Sequence, residues 1–422
     1  MLAQGFILVI IKNYIGGKNM KKFLAVITAI CVMLTASITA FAQSHPKSKD
    51  VQNEIDKIVN YITSQKEGDY TIDDAVDFYY LTKSGADLSK YNDKFIASVK
   101  ENVKANNGKL ITRYGENLAT YAAVIEIFST NDIDVWEFEG YDLTAAFAAM
   151  PADSEINPYY YNIVIPALFY IEDETFAETV CKTFVDKYYT MGKGMEYWGY
   201  SCDNTAYFIS AITYASDEYT AQLNDAIKVI ETYKTKGGYF CDNQYTTTLN
   251  ANSTGLALMA YAEYEWLDSL LDETAETINL NKSTEIYNQL SAFKTSTEGA
   301  YSFEVGGEPN LFATFDVLRG LTSYVNALML KEFIDEPIDQ DDTENPEDSK
   351  KDPANKTEST TKLQIKPLVT QKNDAAATTS TETKKNTSKK SPSTGAGALT
   401  IAMSIALAGA GTAVLAAKKK EQ

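Results

Sequence analysis

Apolar positions between residues 51 and 330 follow two alternating helical patterns. Val51, Ile55, Ile58 and Ile62 recur at helical spacing with polar residues between them, which predicts a helix with one buried face. The stretch 256–262 is instead apolar on every side, which predicts a helix that is buried all round. The pair, a half-polar helix followed by an apolar one, recurs six times along the chain.

Each apolar helix is predicted to begin at a residue type that favours the N-cap position. Successive starts lie 40 to 57 residues apart, which is about the length of two helices and two connections. The repeat is therefore a helical hairpin. The six predicted starts are Thr71, Asn117, Asn157, Asn204, Ser253 and Asn310.

Twelve helices in six hairpins predict an all-α fold, an (α/α)6 toroid over residues 44–335, with the apolar helices on the inside. The alternative is an open solenoid built from the same repeats. A solenoid needs a polar face on its terminal repeats, and the helices that begin at Thr71, Asn117 and Asn310 have none. The pattern therefore favours a closed ring.

Glycine-aromatic connections precede several of the apolar helices, as in Gly238-Tyr239-Phe240. Together with the stretch from Ser253 to Leu258, the repeat resembles the six-hairpin α/α toroids. These include terpenoid cyclases, protein prenyltransferase β-subunits, complement thioester domains, cobalamin carriers and many glycan-processing enzymes. The resemblance implies the fold and leaves the activity open.

The N-terminal segment is predicted to be a secretory signal peptide over residues 20–42. A short basic start at 20–22 is followed by an apolar run at 23–34 and by the small residues Ala40 and Ala42, before and at the expected cleavage site. Residues 1–19 are interpreted as a start site placed too far upstream. The alternative is an N-terminal membrane anchor.

The C-terminal segment is predicted to attach the chain to a cell wall. Residues 336–390 are rich in Asp, Glu, Lys, Thr, Ser and Pro and predict a disordered linker. Ser391, Pro392, Thr394 and Gly395 then precede an apolar run at 396–417 and three lysines, an order that resembles a sortase sorting signal. The alternative is a permanent transmembrane tail, because the run is long enough to cross a bilayer.

These end segments imply specific partners and a location. Signal peptidase and sortase would process the chain, and the resemblance implies covalent linkage through Thr394 to the peptidoglycan of a Gram-positive type of cell. The membrane would be contacted only through the C-terminal run before sorting. The expected location is the extracellular surface.

The predicted toroid is strongly acidic, with 21 Lys and Arg against 45 Asp and Glu between residues 44 and 335. Such a balance disfavours nucleic acid as a partner and repels polyanionic ligands. The only histidine, His45, follows the predicted cleavage site, which removes zinc-dependent prenyl transfer and histidine-assisted nucleophiles from consideration. No metal site and no cofactor are predicted.

Carboxylate chemistry remains open, because glycosidases of this fold place two acids across a sugar at one end of the ring. The only Asp-x-Asp-Asp pattern, the proton donor of class II terpenoid cyclases, is at 339–342 in the acidic linker, where a solvated charge run is expected. The alternative role for each acid at a helix start is capping. The candidate acids are Asp73, Asp74, Glu116, Asp203, Asp242 and Asp316.

Aromatic residues also gather near the predicted starts of the inner helices. Tyrosine and tryptophan combine a flat apolar face with a polar edge, which suits glycans, peptides and small apolar ligands. The alternative is that they plug the ring. The candidate ligand-binding residues are Tyr159, Tyr160, Trp198, Tyr200, Tyr239 and Tyr301.

Three functions are consistent with these features. The absence of the enzyme signatures favours a ligand-binding or scaffolding module. The alternative is an extracellular glycan-active enzyme, a hydrolase or a lyase, that uses a carboxylate pair. A carrier of isoprenoids or corrinoids would instead need a deep apolar cavity.

Overall fold

The computed structural model describes residues 45–335, except 155, 172, 236, 243–247 and 272–276. The described part contains twelve α-helices, which alternate between an outer and an inner layer. The predicted (α/α)6 toroid is confirmed. The outer helices are α1 (Ser48–Ser64), α3 (Ser89–Ala105), α5 (Leu143–Ala148), α7 (Glu174–Tyr188), α9 (Ser216–Glu231) and α11 (Asn281–Leu290).

The inner helices pack side by side in chain order around a common axis. They are α2 (Ala75–Lys83), α4 (Leu118–Thr130), α6 (Tyr161–Tyr170), α8 (Cys202–Ile212), α10 (Ala251–Leu271) and α12 (Leu311–Asp335). The helix α4 is buried at every position from Leu118 to Phe128, as its apolar pattern predicts. The outer helix α1 buries only one stripe, which includes Val51, Ile55 and Ile58.

Short elements complete the hairpins. Strands β1 (Tyr189–Thr190) and β2 (Gly194–Met195) form an antiparallel pair before α8. Single 3-10 turns occupy 72–74, 158–160, 213–215 and 291–293. Within the described residues, no helix is both long and apolar enough to cross a membrane.

The ring closes because the last inner helix, α12, packs against both α1 and α2. Two further contacts join the first and last hairpins. The backbone N–H of Ser48 donates to Glu332 Oε1 at 2.7 Å. A Cβ atom at Gly299 would lie 2.1 Å from the carbonyl oxygen of Lys57, so only glycine allows this close approach to α1. The open-solenoid alternative is wrong.

Two helix starts differ from the predicted positions. Helix α8 is capped by Ser201, whose hydroxyl accepts from the Asn204 N–H at 3.0 Å. Helix α10 begins at Ala251, and Asn250 Oδ1 accepts from the Ser253 N–H at 2.7 Å. In both cases a capping side chain lies three residues upstream of the predicted one, and sequence pattern alone does not distinguish between them.

Candidate functional site

The inner helices begin at one end of the ring, which we call the mouth, and end at the opposite end, which we call the back. Asp203 lies in the first turn of α8, at the mouth, next to Ser253 of α10. Burial raises the pKa of Asp203 to about 8; Ser253 opposes the rise, and the charges of Asp316 and Asp242 add to it. Asp203 therefore holds a proton at neutral pH.

Asp316 lies in the second turn of α12 and is surrounded by donors. Asn252 Nδ2 donates to Asp316 Oδ2 at 2.7 Å, the Arg319 guanidinium forms an ion pair with Oδ1, and the Tyr207 hydroxyl is 3.5 Å from Oδ1. Burial raises the pKa of Asp316, and these three groups oppose the rise. Asp203 and Asp316 thus contact consecutive residues of α10, but their surroundings differ. Neighbouring negative charges favour the protonated form of Asp203, whereas an arginine and two hydrogen-bond donors favour the ionised form of Asp316.

A close helix crossing places Asn252 beside Asp316. At the crossing of α10 and α12, a Cβ atom on Gly320 would lie 2.1 Å from the Gly255 carbonyl oxygen. A Cβ atom on Gly255 would in turn lie 2.8 Å from the Asp316 carbonyl oxygen. Two glycines therefore let the helix backbones touch, and the polar side chains of both helices meet one turn nearer the mouth.

Aromatic rings lead from the surface of the mouth to Asp316. Trp198 is 96% exposed and stacks on Tyr197 with ring centroids 4.9 Å apart. Tyr197 meets the edge of Tyr159 at 5.5 Å, and Tyr159 stacks on the buried Tyr207 at 4.6 Å. Tyr207 is the residue that reaches Asp316. A continuous row of aromatic rings therefore connects the exposed rim of the mouth to Asp316.

The loop that carries Trp198 is held in place by Asn204. The Asn204 amide donates to the carbonyl oxygens of Tyr197, at 3.1 Å, and Gly199, at 2.7 Å, and its Oδ1 accepts from Tyr159 at 2.7 Å. Trp198 has a positive φ of 55°, a conformation that side chains of this size rarely adopt. This strain at a fully exposed aromatic residue is typical of a functional loop.

The opposite wall of the site comes from α2 and the start of α6. Arg319 lies over the Tyr80 ring, 4.2 Å from its centroid, and the Tyr80 hydroxyl donates to Asn162 Oδ1 at 2.9 Å. Burial raises the pKa of Asp77, and Arg319 opposes that rise. Burial and the charge of Asp77 raise the pKa of Tyr160. The positive charge of Arg319 therefore acts on Asp316, Asp77 and Tyr160 and opposes the rise in the pKa of each.

Four buried polar atoms of the mouth lack a hydrogen-bond partner among the described residues: Asp203 Oδ1, Asn252 Oδ1, Ser253 Oγ and Arg319 Nε. They come from three different inner helices and surround Asp316. We call Asp203, Asn252, Asp316 and Arg319 the mouth cluster. Buried polar groups are normally paired, so the open oxygens of Asp203, Asn252 and Ser253 and the open N–H of Arg319 are available to a polar ligand.

The structure separates the predicted acids into two groups. Asp203 and Asp316 meet, and Asp242 is an exposed neighbour whose charge acts on Asp203. Asp74 instead forms a capping box with Thr71 and an ion pair with Lys66 at 2.8 Å. The same capping segment includes Asp73, which accepts from the Arg113 N–H at 2.8 Å.

Glu116 is also engaged in a local contact. It pairs with Lys109 at 2.9 Å and accepts from the Tyr121 hydroxyl at 2.8 Å. The predicted catalytic role does not suit Asp74 or Glu116, because their oxygens hold the starts of α2 and α4 in place.

The predicted aromatic residues also divide. Tyr159, Tyr160 and Trp198 belong to the mouth, as described above. Tyr200 lies beside the β1–β2 hairpin, with its hydroxyl 3.4 Å from Thr190 Oγ1. Tyr239 packs edge-on against Phe293 at the end of the outer layer, with centroids 5.5 Å apart.

Tyr301 is a correction to the sequence prediction. It is 1% exposed and donates its hydroxyl to Glu54 of α1, which also pairs with Lys294 at 2.7 Å. A side chain that is buried and committed to ring closure cannot contact a ligand. Its position near a helix start was the misleading signal, because the glycine-aromatic connection before α12 turns outward towards α1.

Several mouth residues were missed by the sequence analysis, notably Arg319, Tyr207 and Asn252. The available signal was spacing: Asp316 and Arg319 are three positions apart in an otherwise apolar helix, and Asp203 and Tyr207 are four apart in another. Polar pairs on one face of a buried helix must meet a partner inside the ring.

The residues predicted for processing, Ala40, Ala42, Ser391, Pro392, Thr394 and Gly395, lie outside the described residues. Within the described part, no group of three or more His, Cys, Asp or Glu side chains is placed to hold a metal ion.

No protein-family model and no curated protein matches the chain. Solved structures do. A polysaccharide lyase is 12% identical with a TM-score of 0.48, and the match covers 67% of this chain and 98% of the lyase. A glycosyl hydrolase family 88 protein from Bacteroides vulgatus is 13% identical with a TM-score of 0.47, and the match covers 67% of this chain and 100% of the hydrolase.

Proposed function

We propose that the toroid is a glycoside hydrolase that acts on a neutral glycan. The observation that carries this proposal is the mouth cluster: a protonated carboxyl group beside a donor-rich carboxylate, with unpartnered polar atoms below an exposed aromatic surface. Cleavage of a glycosidic bond needs one acid that holds a proton and one carboxylate that stabilises or attacks the sugar.

Each residue has a distinct role in this proposal. Asp203 donates its proton to the glycosidic oxygen, because its raised pKa keeps it protonated at neutral pH. Asp316 supports the positive charge that develops on the sugar ring or activates water. Asn252 and Arg319 hold Asp316 in position and bind sugar hydroxyls through their open atoms, and Tyr159 and Trp198 provide stacking surfaces.

The charge balance favours hydrolysis of a neutral glycan over cleavage of an anionic one by a lyase. The toroid carries 21 basic and 45 acidic residues, so a polyuronate would be repelled on approach. The open polar atoms at the mouth also argue against an isoprenoid carrier, because a hydrocarbon would leave Asn252 Oδ1 and Arg319 Nε without a hydrogen-bond partner.

The test is turnover of a panel of neutral oligosaccharides by the full chain, measured as new reducing ends. Asp203→Asn and Asp316→Asn should each lower kcat by about a hundredfold or more. Asp74→Asn and Glu116→Gln are the matched controls, since both acids lie at inner-helix starts but serve as local contacts. Binding without turnover, unaffected by Asp203→Asn, would instead identify a glycan-binding module.

We also propose that the chain is displayed on the cell surface and linked to the wall through the sorting signal at 391–395. The support is the order of linker, pentapeptide, apolar run and lysines in the sequence. Thr394→Ala should release the protein from the wall fraction or leave it in the membrane. Unchanged wall-linked product after muramidase digestion of the variant strain would reject this assignment.

A further inference from the structure

A second polar cluster lies inside the ring, nearer the back. Lys83 ends α2, Glu126 lies near the end of α4, Glu263 lies on α10, and Thr322 on α12. Glu126 and Glu263 are each 6% exposed and Thr322 is 4% exposed. Thr322 is six residues beyond Asp316 on the same helix, which places this back cluster about 9 Å deeper along the axis.

The back cluster has open hydrogen-bonding positions of both kinds. Glu126 Oε1, Glu263 Oε2 and Thr322 Oγ1 are buried without a hydrogen-bond partner among the described residues. The other oxygen of Glu263 accepts from the Ser323 hydroxyl at 2.7 Å, and Ser210 also acts on this carboxyl group and opposes the rise in its pKa that burial causes. Lys83 forms no direct ion pair with either glutamate in the described structure, although its charge acts on both. The open oxygens of the two glutamates therefore remain hydrogen-bonding positions separate from the Lys83 ammonium.

The charges keep this cluster polar. Burial favours a neutral Lys83, but Tyr214, Tyr79 and Glu263 outweigh burial and hold its pKa well above the usual value. Burial raises the pKa of Glu126 to about 7, and Lys83 opposes that rise. The ammonium of Lys83 is therefore charged at neutral pH and keeps donors available for a ligand.

The mixture of charges restricts the ligand. An anion would face two glutamates, and a metal cation would face the Lys83 ammonium, so neither is favoured. A hydroxyl group both donates and accepts, so two neighbouring hydroxyls on a ring can pair with the two glutamate carboxyl groups in either protonation state while one accepts from Lys83. Tyr79, whose ring centroid is 5.7 Å from Lys83 Nζ, adds an aromatic surface.

We propose that the back cluster is a second binding site, separate from the mouth cluster, for one neutral polyhydroxylated ring such as a monosaccharide. Glu126 Oε1 and Glu263 Oε2 form hydrogen bonds with its hydroxyls, Lys83 donates to it, and Thr322 supplies a further hydroxyl contact. Lys83, at the last turn of α2, is the one partly exposed residue of the back cluster, so the proposed ligand would enter from the back end of the ring. This site is independent of the hydrolysis proposed for the mouth.

The test is binding of glucose, galactose, mannose and N-acetylglucosamine to the full chain, by saturation-transfer NMR and calorimetry. At least one sugar should bind, and Glu263→Gln and Glu126→Gln should each weaken that binding by about tenfold or more. Thr322→Val, which removes only a hydroxyl at nearly constant shape, should weaken it less. Thermal unfolding of each variant confirms that it is folded.

Asp203→Asn is the control, because it alters the mouth and leaves the back cluster intact. Binding that persists in Asp203→Asn and is lost in Glu263→Gln supports the proposal. Absence of binding by any of the four sugars, or binding that only Asp203→Asn weakens, overturns it. Turnover of oligosaccharides is measured separately, so a protein without hydrolase activity can still be tested for monosaccharide binding at the back cluster.

Discussion

The close contact between α10 and α12 determines whether the substitution Gly320→Ala stabilises or destabilises the protein. Substitution Gly320→Ala adds a methyl group in the middle of a helix, where alanine is favoured over glycine by about 1 kcal/mol. If the helix had room, the variant would therefore be more stable. The added Cβ would instead lie 2.1 Å from the Gly255 carbonyl oxygen and 3.2 Å from the Leu258 Cβ.

The magnitude follows from these distances. An ordinary contact between a methyl group and an oxygen is about 3.4 Å, so α10 and α12 must separate by roughly 1 Å, an overpacking that costs about 1–3 kcal/mol. The Asn252–Asp316 hydrogen bond, now 2.7 Å, would lengthen beyond the usual limit and add about 1 kcal/mol. Together these costs exceed the gain in helix propensity, and we expect a net loss of about 1–3 kcal/mol.

The assay is urea unfolding of the wild type and of Gly320→Ala, with glycan turnover measured in parallel. Gly306→Ala is the matched control, because a Cβ there meets no atom within 4 Å and only the positive φ of 76° opposes it. We expect the control to lose stability slightly and keep its activity. If Gly320→Ala is as stable as the wild type or more stable, the close crossing does not exist and the reasoning about Asn252 fails.

Three further predictions test the site and the ring. The pKa of Asp203 is raised to about 8 in the folded protein and is about 3.9 when unfolded, so folding takes up a proton between these pH values, and the contribution of Asp203 to wild-type stability falls as pH rises from about 4 to about 8. Asp203→Asn removes this dependence, so the melting temperature of the variant minus that of the wild type should increase as pH rises over that interval and stay constant above it. A difference that does not change with pH would contradict the raised pKa of Asp203. Trp198→Ala should leave the melting temperature unchanged, since the ring is 96% exposed, yet weaken oligosaccharide binding by about 0.5–1.5 kcal/mol in calorimetry. Equal affinity of the variant and the wild type would exclude the rim from binding. Tyr301→Phe should lower the free energy of unfolding in urea by about 1–2 kcal/mol, because it removes a hydrogen-bond donor from Glu54. Oligosaccharide affinity should not change. A loss of affinity would show that Tyr301 contacts the ligand after all.

The periodicity of apolar residues was sufficient to predict the architecture. An inner helix such as α4 is buried on all sides, and its sequence from Leu118 to Phe128 contains only one ionisable acid, Glu126. The six-fold recurrence then predicts a ring, because only a closed layer removes every apolar face from water. The positions and the order of the helices depend on the local spacing of apolar residues, which can be read from the sequence.

The residues of the candidate site could be predicted only in part, because a residue near a helix start belongs to the site only if its side chain points towards the axis of the ring. Asp203 and Asp74 both lie at inner-helix starts, yet one faces the axis and the other caps its own helix. Tyr159 and Tyr301 are both aromatic residues near such starts, but the second is directed outward to Glu54. These differences arise from rotations of side chains about each helix, which spacing from the helix start does not specify.

The placement of the two chain ends has a mechanical consequence. Since α12 runs from the mouth to the back and the N–H of Ser48 bonds to Glu332, the described residues begin and finish next to each other on the back of the ring. A pull on the segment that follows Asp335 would load only the last turns of one helix and its contact with the first. Trp198 would face away from the point of attachment, so the domain could be held at a surface while large substrates reach the mouth unobstructed.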